Sequence, residues 1–328
     1  MSTYEPVAPV PYDPELEPGL AMFLDLVERI PLRADTILVN RDHFATIVPP
    51  LEQIVGDRPV DVEDRTVPGP DGAPDIVLTI VRPRELAPNA PAFYCIHGGG
   101  MVLGNRFFGV DGLIEDALRF GAVGVSVEYR LAPEHPAPAA VEDCYAGLVW
   151  LAEHAEELGV DPTRIVVTGA SAGGGLSAGV SLLARDRGGP HIAGQVLLCP
   201  MLDDRNESVS TRQYDGLGAW DRNNNDTAWD AILGELRFTD QASPYQVPAR
   251  MADLSGLPPA FIDVGAAEIF RDEATEYALR IWATGGDAEL HVWAGGYHGF
   301  SGFSPDAEVS RTAEATRLSW LRRILRSP

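Results

Sequence analysis

The sequence contains no lysine, and all 25 of its basic residues are arginines. Schiff-base formation and serine–lysine catalysis both need a lysine amine, so the sequence excludes both chemistries. Aspartate and glutamate together number 48, which gives the chain a formal net charge of −23. Binding to nucleic acid or to an anionic membrane requires a basic face, and we therefore expect neither of these partners.

Cysteine is also scarce. The three thiols, Cys95, Cys144 and Cys199, cannot all pair with one another, and two of them lie in apolar runs. This usage is typical of buried free thiols in a reducing compartment, so we expect a cytoplasmic protein. No Cys–Cys or Cys–His spacing matches a zinc site, and we expect no metal and no cofactor.

Long hydrophobic runs are missing as well. No segment approaches the roughly 18 apolar residues that a membrane span needs, and the start of the chain lacks the basic and apolar segments of a signal peptide. With 328 residues, 45% of them hydrophobic, the chain can nevertheless bury a sizeable core. This size suits one large α/β domain or two ordinary ones.

Strand and helix patterns alternate along most of the chain. Alternating segments at 60–67 and 76–82, joined by a glycine- and proline-rich turn, predict two antiparallel strands. Further predicted strands occupy 92–96, 123–129, 165–168, 195–199, 260–264 and 289–293, and predicted helices occupy 110–120, 139–158, 176–184, 271–283 and 307–325. Such alternation predicts an α/β fold whose mostly parallel, eight-stranded sheet is flanked by helices.

Two regions stand outside this alternation. Residues 1–55 hold a Pro/Glu-rich arm and amphipathic segments at 20–30 and 36–55. Residues 201–246 are rich in aspartate and asparagine and show no strand pattern, and insertions of this length commonly form lids or binding elements. We therefore expect one catalytic domain with an N-terminal segment at 1–55, core segments at 56–200 and 247–328, and an insertion at 201–246.

The densest signal is the turn Gly169-Ala-Ser-Ala-Gly173. A β-branched strand precedes it, a helical pattern of small and apolar residues follows it, and Gly-x-Ser-x-Gly at such a junction is typical of a nucleophile elbow. Only a residue without Cβ fits where strand and helix press together, which accounts for Gly169 and Gly173. The pattern indicates Ser171 as a nucleophile; the alternative is a glycine-rich turn without chemistry.

A serine nucleophile needs a base and an orienting acid, and in this kind of elbow scaffold the acid and then the histidine follow the serine along the chain. His298 satisfies that order and lies in a glycine-flanked loop beyond the last predicted strand. Glu268 lies just after the strand at 260–264 and is the favoured acid. Asp272 is the reserve, because the helix dipole already explains an acid in the first turn of a helix.

A glycine triplet supplies the remaining part of a serine site. The strand at 92–96 runs into His97-Gly98-Gly99-Gly100, and glycines there allow backbone N–H groups to point at a developing oxyanion. We expect the N–H groups of Gly98, Gly99 and Ala172 to form this oxyanion hole, with His97 holding the loop by hydrogen bonds. A flexible turn is the alternative for a glycine triplet taken alone.

Together, these motifs resemble those of the hormone-sensitive-lipase-like (bacterial family IV) esterases. The resemblance rests on the motifs at 97–100, 169–174 and 297–300, and it extends to 129–136, 257–259 and 271–273. It implies an α/β-hydrolase fold and the hydrolysis of carboxylic esters with short to medium acyl chains. It also implies a helical cap, built from the N-terminal segment and the insertion, and it makes a homodimer plausible.

Two positions depart from the family pattern. Ala170 stands where the family usually has an aspartate or glutamate before the nucleophile, and Glu268 stands where the usual acid is aspartate. The first change removes a charge beside Ser171. The second lengthens the acid by one methylene, which still allows it to orient an imidazole.

The resulting hypothesis is a serine hydrolase that acts on a small-molecule ester through an acyl-enzyme intermediate. Alternative functions on the same scaffold are a carboxylesterase-like dehydratase, a lactone hydrolase and a ligand-binding receptor, the last of which the presence of both Ser171 and His298 disfavours. Five apolar residues are candidates for the substrate pocket, with core or cap packing as the alternative for each: Met101, Val102, Phe107, Phe108 and Trp220.

Overall fold

Eight strands form one sheet in the computed structural model, which describes residues 7–27 and 30–326. In chain order they are β1 (Val60–Val67), β2 (Ile76–Pro83), β3 (Ala90–Ile96), β4 (Val123–Glu128), β5 (Val160–Ala170), β6 (Gly194–Leu198), β7 (Ala260–Gly265) and β8 (Ala288–Trp293). Across the sheet they lie in the order β1-β2-β4-β3-β5-β6-β7-β8. β2 runs antiparallel to both β1 and β4, and the other neighbours are parallel. The predicted mostly parallel, eight-stranded sheet is therefore confirmed.

Twelve helices accompany these strands within the described residues. In chain order they are α1 (Glu17–Val27), α2 (Ile37–Ile47), α3 (Leu51–Val55), α4 (Val110–Phe120), α5 (Ala139–Glu153), α6 (Ala155–Leu158), α7 (Ala172–Arg187), α8 (Val209–Gln213), α9 (Arg222–Leu233), α10 (Arg271–Ala283), α11 (Phe300–Phe303) and α12 (Glu308–Ile324). Short 3-10 turns lie at Gly234–Leu236, after α9, and at Pro248–Arg250, before β7.

The central strands of the sheet are buried on both faces, as their successive side chains, which point to opposite sides, show. On β5, Val166 packs in a cluster with Trp320 of α12, whereas the next residue, Val167, packs in the cluster that contains Leu148 of α5. Strands buried on both sides need apolar residues at consecutive positions. This requirement explains the continuous apolar runs of the central strands.

Several elements differ from their predicted bounds. The helix predicted at 139–158 is divided into α5 and α6 at His154, whose ring stacks on Trp150 and whose Nδ1 lies 2.8 Å from the carbonyl oxygen of Trp150. The helix predicted at 20–30 is α1, which ends at Val27, and residues 28 and 29 of that prediction lie outside the described residues. Helix α11 has no predicted counterpart, since four residues are too few to show a helical period.

Arg41 is one of the residues that join the N-terminal helices to the sheet core. Arg41 of α2 donates hydrogen bonds to the carbonyl oxygens of Val102 (2.9 Å) and Ala132 (2.7 Å), and it pairs with Glu134 at 2.7 Å. Both helical segments expected to form a cap are present, but the division of the chain after residues 55, 200 and 246 stays a prediction. Among the described residues, no helix has the length and apolar composition needed to cross a membrane.

Candidate active site

The elbow serine lies between the last residue of β5 and the first residue of α7. Ser171 has φ 58° and ψ −123°, a backbone conformation that residues with a Cβ rarely adopt. Its N–H donates to the carbonyl oxygen of Leu198 (2.8 Å), and its own carbonyl oxygen accepts from the N–H of Met201 (3.0 Å). These bonds to the chain around β6 hold the strained turn in place, and the serine side chain faces a cavity.

Two glycines allow strand and helix to meet at this turn. A Cβ added to Gly169 would lie 2.3 Å from the carbonyl oxygen of Gly173, and one added to Gly173 would lie 2.0 Å from the carbonyl oxygen of Ile96. Both distances are far below van der Waals contact with backbone atoms. The sequence therefore needs glycine at both positions for the reason that the motif suggested.

A chain of hydrogen bonds joins the serine to a histidine and a glutamate. Nε2 of His298 lies 2.9 Å from Oγ of Ser171, and Nδ1 of His298 lies 2.6 Å from Oε2 of Glu268. A carboxylate can only accept, so Nδ1 donates to Glu268, which leaves Nε2 of a neutral ring free to accept the serine proton. The other oxygen of Glu268 accepts from the N–H of Gly265 at 3.2 Å, which orients the carboxylate.

The reserve acid is engaged elsewhere. Oδ2 of Asp272 accepts from the N–H of Ser210 at 2.8 Å, and its Oδ1 accepts from Nε of Arg271 at 2.8 Å. Asp272 thereby connects the first turn of α10 to α8. The structure brings Glu268, and not Asp272, to His298.

The electrostatics of the histidine follow from its neighbours. Burial alone would lower the pKa of His298, but Cys199 and Glu268 favour the charged ring, and the net effect raises its pKa well above the ordinary 6.5. Burial raises the pKa of the Cys199 thiol, which keeps that thiol protonated near neutral pH. We therefore assign the raised pKa of His298 chiefly to the buried carboxylate of Glu268.

The glycine loop after β3 borders the same cavity as Ser171. Gly98 and Gly99 lie in the cavity wall, and Ala172 opens α7, where the first N–H groups of a helix have no partner within the helix. His97 is buried beneath the glycine loop and contacts it through a hydrogen bond. Its Nδ1 donates to the carbonyl oxygen of Gly98 (2.8 Å), its ring stacks on Tyr129 at 4.1 Å, and burial lowers its pKa to about 4.

A cavity of about 680 Å³ opens above Ser171, between the sheet core and the helices of the N-terminal segment and the insertion. Of the five predicted pocket residues, Phe108 and Trp220 line it. The cavity is also lined by polar residues from α2, the chain before it and the insertion: Arg33, Asn40, Asp221, Asn223, Asn224, Asp226, Thr227 and Asp230.

The other three predicted pocket residues lie elsewhere. Met101 and Val102 are 1% and 0% exposed and pack in the main core, because the chain turns inward after the glycine triplet. Phe107 lines a neighbouring cavity instead. Phe23, Phe44 and Phe303 also line the cavity above Ser171, although no sequence motif indicated them as pocket residues. The amphipathic pattern of the N-terminal helices indicated an apolar face, but not which residues it turns toward the serine.

One group of possible metal ligands overlaps this site. Among the described residues, donor atoms of Cys199, Glu268 and His298 all lie within 4.8 Å of one another. Cysteine, histidine and glutamate are ligands that zinc accepts. However, Glu268 and His298 already share a 2.6 Å hydrogen bond, and the raised pKa of Cys199 disfavours the thiolate that metal binding requires.

A family model described as alpha/beta hydrolase fold matches residues 93–302, a range that contains Ser171, Glu268 and His298. The chain belongs to the hormone-sensitive-lipase-like carboxylesterases of the α/β-hydrolase superfamily. The predicted α/β-hydrolase fold and the predicted family are both confirmed.

Named relatives agree with this assignment over nearly the full chain. Carboxylesterase NlhH of Mycobacterium tuberculosis is 37% identical over 319 residues, which cover 95% of this chain and 97% of the relative. A solved structure titled bacterial heroin esterase is 37% identical, with a TM-score of 0.88 over 96% of this chain and 98% of that one. A hyperthermophilic esterase from Pyrobaculum calidifontis is 34% identical, with a TM-score of 0.84 over 96% of this chain and 99% of that one. This chain is therefore an ester hydrolase.

Proposed function

We propose that this carboxylesterase cleaves its ester through an acyl-enzyme on Ser171. His298 takes the serine proton as Oγ attacks the ester carbonyl, and Glu268 orients the imidazole and stabilises its charged form. The N–H groups of Gly98, Gly99 and Ala172 stabilise the oxyanion. His298 then donates the proton to the departing alcohol, and water releases the acid by the same route.

The single observation that carries this proposal is the hydrogen-bonded sequence of Ser171, His298 and Glu268. Its two distances, 2.9 Å and 2.6 Å, lie within the range required of a nucleophile, its base and the group that orients the base. The strained φ of Ser171 supports it, because backbone strain of this kind concentrates at functional sites.

The substrate that we propose is a small carboxylic ester with a short to medium acyl chain. Five aromatic side chains line the cavity above Ser171 and suit an apolar acyl or alcohol group: Phe23, Phe44, Phe108, Trp220 and Phe303. A ligand-binding receptor needs no serine with a histidine base within hydrogen-bonding distance, so the contact between Ser171 and His298 argues against that alternative. No feature of the described cavity favours the dehydratase or lactone hydrolase alternatives over simple ester hydrolysis.

The test is hydrolysis of p-nitrophenyl acetate and p-nitrophenyl butyrate by the purified protein. Ser171→Ala should remove turnover and labelling by an organophosphonate. Ser181→Ala is the matched control, since it deletes a buried hydroxyl from α7, the helix that follows Ser171; that hydroxyl donates to the carbonyl oxygen of Ser177. Activity that survives in Ser171→Ala, or a wild-type protein with neither turnover nor labelling, would contradict the proposal.

We also propose that the protein resides in the cytoplasm and forms a homodimer. The three thiols, Cys95, Cys144 and Cys199, are unpaired, as expected in a reducing compartment. β8 lies at one edge of the sheet, and edge strands offer backbone groups for pairing with another chain. Cell fractionation tests the location, and light scattering after size-exclusion chromatography tests the dimer.

A further inference from the structure

Helix α9 of the insertion turns one polar face toward the cavity above Ser171. Residues three and four positions apart share a face of an α-helix. Five polar residues of α9 share the face that lines the cavity, and four residues on its other face are at most 2% exposed. The lining residues are Asn223, Asn224, Asp226, Thr227 and Asp230, and the buried ones are Asn225, Ala228, Trp229 and Ile232. Packing of the buried face therefore holds the polar face against the cavity.

The charges at this face are nearly balanced. Arg237 is 6% exposed, and its guanidinium bonds to Asp226 at 2.6 Å and to Asp230 at 2.7 Å. Both carboxylates are therefore paired. Of the other charged residues that line the cavity, Arg33 is positive and Asp221 is negative. Such a wall offers hydrogen bonds without a strong net charge, so it suits a neutral polar ligand better than an ion.

A buried amide from α2 lines the same cavity. Asn40 is only 6% exposed, its Nδ2 donates to the carbonyl oxygen of Thr36 at 2.9 Å, and its Oδ1 has no hydrogen-bond partner among the described residues. The side chain of Asn224 likewise makes no hydrogen bond within the described part of the chain. A buried polar atom without a partner costs free energy unless a ligand or water supplies one. Asn40 and Asn224 therefore offer unused hydrogen-bonding groups to a molecule that fills the cavity.

An indole lies beside the glycine loop at the start of α9. Trp220 lines the cavity, and a Cβ added to Gly100 would lie 2.7 Å from Cη2 and from Cζ2 of its ring. Its Nε1 donates to Oδ1 of Asn225 at 3.4 Å, which orients the ring. The C–H face of a sugar ring packs on an aromatic ring, while the hydroxyls around its edge need amide, carboxylate or hydroxyl partners. Trp220 and the polar face of α9 supply both kinds of contact.

The alcohol half of the ester is the half that meets these groups. His298 must protonate the departing alkoxide, so the alcohol leaves on the His298 side. Ala219, immediately before Trp220, lines the cavity and packs in a cluster with Tyr297 and Phe300, which lie on either side of His298 in the chain. The segment that leads into α9 therefore lies against the loop of the catalytic histidine.

We propose that Trp220, the polar face of α9 and Asn40 form a subsite for a polyhydroxylated alcohol, so that this esterase prefers short-chain esters of sugars and similar polyols. The inference rests on the proposed function and names the alcohol half of its substrate. At about 30 Å³ for each water-sized group, the cavity of about 680 Å³ holds a monosaccharide ring together with a short acyl chain. An alcohol without hydroxyls is disfavoured, because it leaves the polar groups of the subsite unpaired.

The experiment compares esters matched in shape. Glucose acetylated on its primary hydroxyl and cyclohexylmethyl acetate share an acetyl group, a primary alcohol and a six-membered ring, but only the first carries free hydroxyls. Acetylcholine and neohexyl acetate, its uncharged carbon analogue, form a second pair that differs in charge. Release of acetate by the purified protein is followed at constant pH, and kcat/KM is determined for each ester.

Two variants remove amides from the subsite. Asn40→Leu and Asn224→Leu each replace an amide by an apolar side chain of similar size. Asn224 is only partly buried, so its substitution tests the subsite even where the buried position of Asn40 does not tolerate leucine. Gln241→Leu is the matched control, because Gln241 is an exposed amide of the insertion that does not line the cavity.

The wild type should favour the glucose ester over cyclohexylmethyl acetate by about tenfold or more in kcat/KM. Each subsite variant should lower that ratio by about two- to tenfold, the range expected for one lost hydrogen bond. Gln241→Leu should leave the ratio unchanged. Acetylcholine and neohexyl acetate should be hydrolysed with kcat/KM values within about threefold of each other, since the carboxylates that bond to Arg237 are already paired.

Three results would overturn this inference: a wild type that hydrolyses cyclohexylmethyl acetate as well as the glucose ester, a ratio that neither subsite variant lowers more than Gln241→Leu does, or a preference for acetylcholine that exceeds the preference for the glucose ester. The last result would show that the cavity selects a cation. Each of them leaves Ser171-dependent hydrolysis of p-nitrophenyl acetate intact. Failure of the proposed function would instead remove that hydrolysis, so the two failures are distinguishable.

Discussion

The carboxylate of Glu268 lies 2.6 Å from Nδ1 of His298 and is almost completely buried. Glutamate is one methylene longer than aspartate and still fits beside the imidazole. The N–H of Gly265 donates to its second oxygen and so fixes the position of the carboxylate. This contact distinguishes Glu268 from Asp272, whose carboxylate bonds to Ser210 instead.

Glu268→Gln should lower kcat by roughly 10²- to 10⁴-fold, because the neutral amide neither stabilises the imidazolium nor fixes the required tautomer. Asp272→Asn should leave kcat within a few-fold, since Asp272 bonds to Ser210 and Arg271. Steady-state kinetics on p-nitrophenyl butyrate measure both variants. A large loss of kcat in Asp272→Asn alone would move the acid role to Asp272.

The pH dependence of kcat/KM should show an ascending limb with its midpoint above 6.5. Activity should rise with pH because only the neutral form of His298 accepts the serine proton. The midpoint lies above 6.5 because the pKa of His298 is raised well above that value. Glu268→Gln removes a negative charge that favours the imidazolium, so its limb should shift to lower pH. An unchanged midpoint in Glu268→Gln would show that another group controls the limb.

Gly98→Ala should lower kcat by about 10²-fold with little change in KM. The added Cβ would lie 2.9 Å from the carbonyl oxygen of Ala170, so the loop must move away from the nucleophile and take an oxyanion donor with it. Gly112→Ala is the matched control, because a Cβ there, on helix α4, meets no atom within 4 Å. Equal losses of activity in the two variants would remove the local explanation.

Ala170→Asp restores a carboxylate beside the nucleophile. Ala170 lines the cavity together with Ser171 and His298, so a negative charge there should stabilise the imidazolium and move the ascending pH limb to higher pH. Ala170→Asn, which adds similar bulk without charge, should leave the limb in place. Coincident profiles for the aspartate and asparagine variants would show that the charge at this position does not reach His298.

Asp263→Asn should make the protein more stable above pH 6. Burial raises the pKa of Asp263 from 3.8 to about 6, although Nε1 of Trp293 donates to it at 2.6 Å. A carboxyl whose pKa is raised on folding favours the folded state only while protonated, so stability falls as pH rises from the unfolded value through about 6. The loss amounts to about 2–3 kcal/mol.

Urea unfolding at pH 4 and pH 7.5 measures this difference in the wild type and in Asp263→Asn. From pH 4 to pH 7.5, the free energy of unfolding should fall less in Asp263→Asn than in the wild type, because asparagine does not titrate. Parallel changes in both proteins would show that Asp263 is not the group responsible.

The sequence by itself determined the sheet and the chemistry that is local to single turns. Strand and helix periods predicted all eight strands. The central strands are buried on both faces and show continuous apolar runs, whereas β1 has one exposed face and alternates apolar with polar residues. The glycines around Ser171 are equally local, since Gly169 and Gly173 are required by backbone atoms a few residues away and on the adjacent β3.

Only the tertiary structure decided which side chains come into contact at the end of the sheet that holds Ser171, and which residues of the N-terminal helices face the cavity there. Glu268 and Asp272 are four residues apart, and whether either one reaches His298 depends on the path of the loop after β7. The same holds for Met101, which follows the glycine triplet and turns into the core, and for Phe44, which comes from α2 to the wall of the cavity above Ser171. A periodic pattern specifies the apolar face of a helix, but the partner of that face is set by packing between segments that lie far apart in the chain.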